Sequence, residues 1–413
     1  MTDREIARLN QTVCGLEGLA SLLARTPGDF AVVVHGPADC AGLLIQGMHA
    51  PGSERFFCTH LEESDLVAGR SAARLERCLE AVLAASQPPA AVFVLGSCAS
   101  ALVGDDIPAV LARLARTTRV PLVLPHGGGM GWISQSTLLD RFCQLMLDAC
   151  ADRPTQGRTR AVNLVGFDPG EELRALLSGQ GIETNALLGP GASWETWARM
   201  GQATCNLYLD PELFAGFQQQ AAQRLGQSSL QVPPPVGFEG SLAFLAALEK
   251  EWPAHTRGPV WPRPEPPALL GAARARLSGR RLGYNIGSTK NLDPRTLALE
   301  GLGDLGVFQE LGLEVVILVQ GDDRPERLEA VRQTLERLGC RAPLAVFADT
   351  VDFGALCRAQ SLDLVYASDH LQSRLDGCGA AFLPLGGLRP GFAGVDANLR
   401  AILEALERRP EAT

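Results

Sequence analysis

The feature that most constrains this chain is a repeated alternation. A run of continuous apolar, often β-branched residues is followed by a glycine-rich or polar turn, then by a stretch rich in Ala, Leu, Arg and Glu. Continuous apolar strands mark sheets buried on both faces, and the helical stretches between them supply the cover. The runs fall into three groups. The first holds FAVVVHG (30–36), AAVFVLGSC (90–98) and RVPLVLPHG (119–127). The second holds AVNLVGF (161–167) and IETNALL (182–188). The third holds RLGYNIG (281–287), EVVILVQG (314–321), LAVFAD (344–349), LDLVYAS (362–368) and AAFLPLG (380–386). The expected fold is therefore α/β, with three Rossmann-like domains, each a mostly parallel sheet flanked by helices. A chain of 413 residues is also too long for one ordinary core. Two linkers separate the groups: the polar ADRPTQGRTR (151–160), and GPVWPRPEPPALLG (258–271), whose prolines forbid a continuous helix. They divide the chain into expected domains 1–155, 156–270 and 271–413.

Charge narrows the function. Asp and Glu number 46 against 37 Lys and Arg, a formal net charge of −9, and the arginines are scattered rather than striped. Phosphate neutralisation needs clustered cations, so no nucleic-acid partner is expected. The N-terminal MTDREIARLNQTVCG is not of signal-peptide type and no run of about 18 apolar residues occurs, so a cytoplasmic protein without membrane contact is expected. In a reducing compartment the 11 cysteines are not expected to form disulfides, and most, including Cys78, Cys143, Cys150, Cys340 and Cys357, read as small buried hydrophobes.

In open parallel sheets ligands sit beyond the carboxyl ends of the strands. The turns after the apolar runs are therefore the places to search. In VVVHGPADCAG a strand should end at His35, Gly36 and Pro37 should break it, and Cys40 should enter the next helix. Cys98 repeats the setting in VFVLGSCASALVGDDIP, and Cys14 opens a helix-like segment in NQTVCGLEGLASLL. A helix N-terminus favours the thiolate that binds metal. Cys40 follows Cys14 by 26 residues and Cys98 follows Cys40 by 58, with no CxxC pattern. Spacing alone leaves two readings open: one shared metal cluster, or buried structural thiols. Three thiolates from one chain are incomplete for a small iron–sulfur cluster, and sharing with a second chain would resolve the deficit. Cys58 reads as buried structure rather than as a fourth ligand.

Three motifs then follow in order. They are His35-Gly36 with Cys40, the stretch Glu63-Ser64-Asp65-Leu66-Val67-Ala68-Gly69, and Cys98 with Val103-Gly104-Asp105-Asp106. Over roughly residues 10–110 this resembles the nitrogenase component 1 family, nearest to its β-type subunits and cofactor-assembly scaffolds. The resemblance implies that Cys14, Cys40 and Cys98 ligate a P-cluster-like electron-relay cluster. That cluster would lie at the interface with a homologous α-type subunit, in an α2β2 heterotetramer, and a separate ATP-dependent iron–sulfur reductase protein would supply electrons to it. Glu63, Asp65, Asp105 and Asp106 read as caps or turn residues rather than acid–base catalysts. In α-type subunits a second-domain cysteine and a C-terminal histidine hold a large iron–sulfur cofactor. Here Cys205, in MGQATCNLYLD, resembles the cysteine, whereas CGAAFLPLGGLRPGFAG holds no histidine; His370, in VYASDHLQ, is the nearest substitute. Gly287 and Ser288, in IGSTKN, are placed to cradle an anionic group with backbone N–H groups. His126 with Gly127 to Gly129 follows another strand, and Ser134 is not aligned with the serine that the family places near its relay cluster.

The implied activity is that of an oxidoreductase subunit whose chemistry is borne by its cofactors. The missing C-terminal ligand points away from dinitrogen, and reductive cleavage of a small sulfur compound of methylthio-alkane type is the first expectation. The alternatives are tetrapyrrole reduction, a scaffold for cofactor assembly, and, from a different class, an iron-free ligand-binding module.

Overall fold

The computed structural model describes residues 13–40, 53–125, 132–133, 135–150, 161–166, 171–209, 212–251, 263–289, 297, 302–321 and 325–408. His126, Gly127 to Gly129, Ser134 and the expected division at 156 lie outside them. The division at 270 falls inside the helix Ala268–Leu277.

Three parallel sheets form the frame. In the first, β2 (Ala31–His35), β3 (Phe56–Cys58), β4 (Val92–Gly96) and β5 (Leu122–Val123) lie in the order β3-β2-β4-β5. In the second, β7 (Ala161–Val165), β8 (Glu183–Leu188), β9 (Cys205–Tyr208) and β10 (Ser228–Gln231) lie in the order β10-β9-β7-β8. In the third, β11 (Arg281–Ser288), β12 (Glu314–Gln320), β13 (Leu344–Phe347), β14 (Leu364–Ala367) and β15 (Ala381–Pro384) lie in the order β13-β12-β11-β14-β15. Every pairing within these sheets is parallel, as continuous apolar runs separated by helices require. A small antiparallel ribbon stands apart, in which β1 (Val13–Cys14) pairs with β6 (Trp132–Ile133).

Burial follows from the pleat. Every residue of β2, β4 and β7 is buried, so these strands are covered on both faces. Alternate residues of β2 enter different cores. Val32 and Val34 join the one built on the helices Gly15–Arg25 and Gln135–Cys150, and Val33 joins the one built on Ser71–Leu83 and Ile107–Leu114. The first of these cores also takes in Val165, Leu188, Trp194, Trp197 and Phe217, so it ties the first sheet to the second. Trp194 packs near Phe30 and Phe93, and Trp197 packs edge-on to Phe142 and Phe217.

Candidate metal centre

Strand ends and the turns after them build the site. β3, β2 and β4 are neighbours in register, with Val34 opposite both Cys58 and Leu95, and His35 opposite Gly96. Their carboxyl ends therefore share one edge, about 4.8 Å between strands. Cys58 is the last residue of β3, Cys40 stands in the helical turn after β2, and Cys98 begins the helix Cys98–Leu102 after β4. Cys14 reaches the same place from the ribbon, as the residue capping the helix Gly15–Arg25.

Electrostatics shows that the thiols have gathered. Burial pushes the Cys40 thiol up, and the thiols of Cys14, Cys98 and Cys58 push it further, followed by Asp39. This reverses the lowered thiol expected of a helix start. A partly desolvated thiolate with three other thiols nearby is disfavoured until a cation neutralises it. Such a setting fits a metal cluster. Cys14, Cys40 and Cys58 are half-buried and Cys98 is exposed, so the group is open on one side. Among the described residues no three His, Cys, Asp or Glu side chains converge tightly enough for one metal ion. A cluster places its ligands on different irons, so its sulfurs stand further apart than those around a single ion. Gly36 allows this gathering: a Cβ there would lie 2.6 Å from Ser97 Cβ and 2.7 Å from Ser97 Oγ.

A buried polar network braces the edge. His35 is fully buried, with Nε2 3.0 Å from Asp105 Oδ2 and Nδ1 3.2 Å from Thr59 Oγ1. Burial lowers the His35 pKa against the opposing pull of Asp105, so the neutral ring is the form at home here. The consistent assignment has Nε2–H donating to Asp105 and the Thr59 hydroxyl donating to Nδ1, while Gly36 N–H donates to Thr59 Oγ1 at 3.1 Å. Ser71 donates to the other Asp105 oxygen. His35 and Asp105 thus join the ends of β2 and β3, the helix Ser71–Leu83 and the turn after Cys98. A buried histidine ending a strand was the available signal, but only the fold shows its partners. Asp106 caps the helix Ile107–Leu114 through Ala109 N–H, and Asp65 completes a capping box with Glu62 and pairs with Arg70 and Arg74.

The remaining candidates lie elsewhere. Cys205 begins β9, at the end opposite the carboxyl edge, and is wholly buried in the second sheet's core beside Val162, Leu207 and Phe244. Burial pushes its thiol up to about 12, the setting of a packing residue. Gly287 and Ser288 close β11, Gly287 with φ 94°, and the next residue, Thr289, is buried with no partner for its hydroxyl among the described residues. His370 follows the adjacent β14 and is exposed. Gly287, Ser288 and His370 therefore share the carboxyl edge of the third sheet.

Known proteins resemble this chain at two levels. It is 27% identical over 278 residues to the light-independent protochlorophyllide reductase subunit N of Acidiphilium rubrum, covering 65% of each chain. The chain thus spans just under two thirds of that relative's length. It is 34% identical over 115 residues to the nitrogenase iron–molybdenum cofactor biosynthesis protein NifE of Sinorhizobium fredii, covering 27% of this chain and 23% of that one. The solved structure "Nitrogenase Cp1 at pH 6.5" shares the fold with a TM-score of 0.61 at 14% identity, over 96% of this chain and 92% of that one. No helix among the described residues is long and apolar enough to cross a membrane. Residues 14–386 match the family model described as nitrogenase component 1 type oxidoreductase, and the chain belongs to that family.

Proposed function

We propose that this chain is one subunit of a nitrogenase-like two-component reductase, carrying an iron–sulfur electron-relay cluster on Cys14, Cys40 and Cys98 where it meets a homologous subunit. The observation that carries the reading is the gathering of these thiols at one strand edge. When bound, the cluster supplies a one-electron store. The chain's own part is to hold the sulfurs, exclude water on the core side and brace the edge through His35 and Asp105.

The open side has the character of a docking surface. Val67 and Leu102, the last residues of the short helices Glu63–Val67 and Cys98–Leu102, and Val103 beside Leu102 are exposed, and the Ser71–Asp105 hydrogen bond ties together the turns that follow these helices. Exposed apolar groups beside a candidate redox centre suit a transient partner, and we assign them to the ATP-dependent iron protein that delivers electrons. For a catalytic cofactor, the reading keeps Gly287, Ser288 and His370 at the third sheet's edge and leaves Cys205 to packing.

On the substrate, the likeness to subunit N covers more than twice as much of this chain as the likeness to NifE. That favours an enzyme over a scaffold, and a conjugated tetrapyrrole ring over the methylthio-alkane first expected from the sequence. The scaffold reading keeps the higher local identity to NifE in its favour. The test is anaerobic purification of the chain with its partner subunit, then iron and sulfide analysis, then turnover with the iron protein and ATP. Iron with tetrapyrrole reduction is the expected result. Iron with C–S cleavage of a methylthio-alkane would restore the first expectation. Iron without turnover of either class would favour the scaffold, and an iron-free complex would overturn the proposal.

A further inference from the structure

Cys58 was expected to be a buried structural thiol, yet it is half-buried at the same strand edge as the other three. The pleat fixes its side. Phe56 and Cys58 are two residues apart and both pack against the core formed by the helices Gly15–Arg25 and Gln135–Cys150, as does Cys14. Cys58 Sγ lies 3.5 Å from the Gly36 carbonyl oxygen and 3.9 Å from that of Pro37, on the turn that leads to Cys40. The chain then folds back. His60, a non-glycine residue with φ 49°, donates its N–H to Cys58 Sγ at 3.3 Å. A left-handed non-glycine residue costs on the order of 1 kcal/mol, so the fold must hold it there. Burial pushes the Cys58 thiol up and the His60 N–H opposes that push, so the metal-free sulfur is a thiol with a donor already in place for a bound thiolate. Hydrogen bonds to ligand sulfurs tune iron–sulfur centres.

We infer that Cys58 is a fourth cysteine ligand, so that this one chain supplies the complete thiolate set of a four-iron cluster rather than three sulfurs and a vacancy for its partner. The inference rests on the cluster reading above and deepens it. Four cysteine thiolates are the full complement for a four-iron cluster. β3, β2 and β4 deliver Cys58, Cys40 and Cys98 from three adjacent strand ends, and the ribbon delivers Cys14.

The experiment loads the full chain with iron and sulfide anaerobically, with and without its partner subunit, and compares wild type with Cys58→Ala, Cys58→Ser and Cys40→Ala. Iron and sulfide per chain, the electron paramagnetic resonance of the reduced protein, and alkylation of each cysteine located by mass spectrometry are read together. Wild type alone should hold about four irons, with Cys58 protected from alkylation until a chelator strips the iron, and Cys340, half-buried against the third sheet's core, serving as the reference thiol. Cys58→Ala should lose about a quarter or more of the iron, and Cys58→Ser should keep iron but shift the spectrum, both leaving the melting midpoint of the iron-free chain unchanged. If Cys58→Ala keeps wild-type iron and spectrum while Cys40→Ala loses both, the inference fails and the three-thiol reading stands. If wild type takes up no iron in either form, or Cys40→Ala loses none, both fail together.

Discussion

The first and second sheets are built alike and used differently. Both are four-stranded and parallel, and each buries a polar residue completely on an inner strand, His35 on β2 and Asn163 on β7. Around Asn163 the polar groups are all neutral amides. Asn185 donates to Asn163 Oδ1 at 2.8 Å, Asn163 donates to Asn206 Oδ1 at 2.8 Å, and Asn206 donates to Gln227 Oε1 at 3.2 Å. Such a ladder satisfies itself across the sheet and carries no charge. Around His35 the partners are a carboxylate and two hydroxyls, and beyond them stand four thiols. The same architecture is closed in one place and left chemically available in the other. The difference lies in what the strand ends carry, since Cys205 at the start of β9 meets only core.

The largest expected contrast is between cysteines. Cys40→Ala should abolish the iron-dependent absorption and paramagnetic signal of the anaerobically loaded complex while the far-ultraviolet dichroism stays as in wild type. Cys205→Ala should keep the iron and lose on the order of 1–2 kcal/mol of stability in denaturant titration, from an unfilled core site. Iron lost from Cys205→Ala and kept by Cys40→Ala would invert the comparison.

Glycines give the next contrast. Alanine at Gly36 would press its Cβ onto the Ser97 backbone-anchored Cβ at 2.6 Å, which cannot swing away, whereas at Gly189, beyond the carboxyl end of β8, a Cβ would meet nothing within 4 Å among the described residues. Gly36→Ala should cost roughly 1–3 kcal/mol and impair cluster loading, and Gly189→Ala should change the melting midpoint little. Equal effects of the two would show that the edge of the first sheet is no more crowded than that of the second.

A smaller effect is expected at the surface. Leu102→Asp, at a position 85% exposed, should leave iron content and stability unchanged and raise by about tenfold the iron-protein concentration needed for half-maximal turnover. An unchanged concentration dependence would move the docking surface elsewhere.

Much of this frame was legible in the sequence, and the omissions have physical causes. All five strands of the third sheet coincide with apolar runs; β11, β12 and β14 lie inside the sheet, where a strand covered on both faces must be apolar, and the edge strand β13 keeps the pattern although Val346 is exposed. β9 and β10 passed unnoticed because CNLY and SSLQ are short and mix polar residues into the run, Asn206 serving the amide ladder. β3 is an edge strand with an exposed Phe57, so it gave no continuous signal, and Cys58 with it lost its context. The turns after β2 and β4 were readable from Gly36, Pro37 and Gly96. The pairing of His35 with Asp105, 70 residues apart, was not, because nothing local announces it.

That pairing yields the finest test of the contrast between the two networks. Burial holds the His35 pKa below its ordinary 6.5, against the raising effect of Asp105. The unfolded chain, with an ordinary histidine, then binds more protons than the folded chain as pH falls below 6.5. The stability tied to neutral His35 is therefore complete above the unfolded value and is lost progressively as pH falls towards the folded one. Denaturant midpoints measured from about pH 7.5 down to about pH 5.5 should decline in wild type, with carboxylate titration contributing only at the acid end. His35→Gln keeps an amide able to donate to Asp105 and does not titrate, so its decline over the same range should be shallower, at some cost in absolute stability. Asn163→Asp would place a carboxyl in the second sheet's ladder, and its burial should give the opposite sign, with stability falling as pH rises. A His35→Gln protein whose pH profile parallels wild type would show that the first sheet's network is as indifferent to protons as the second's.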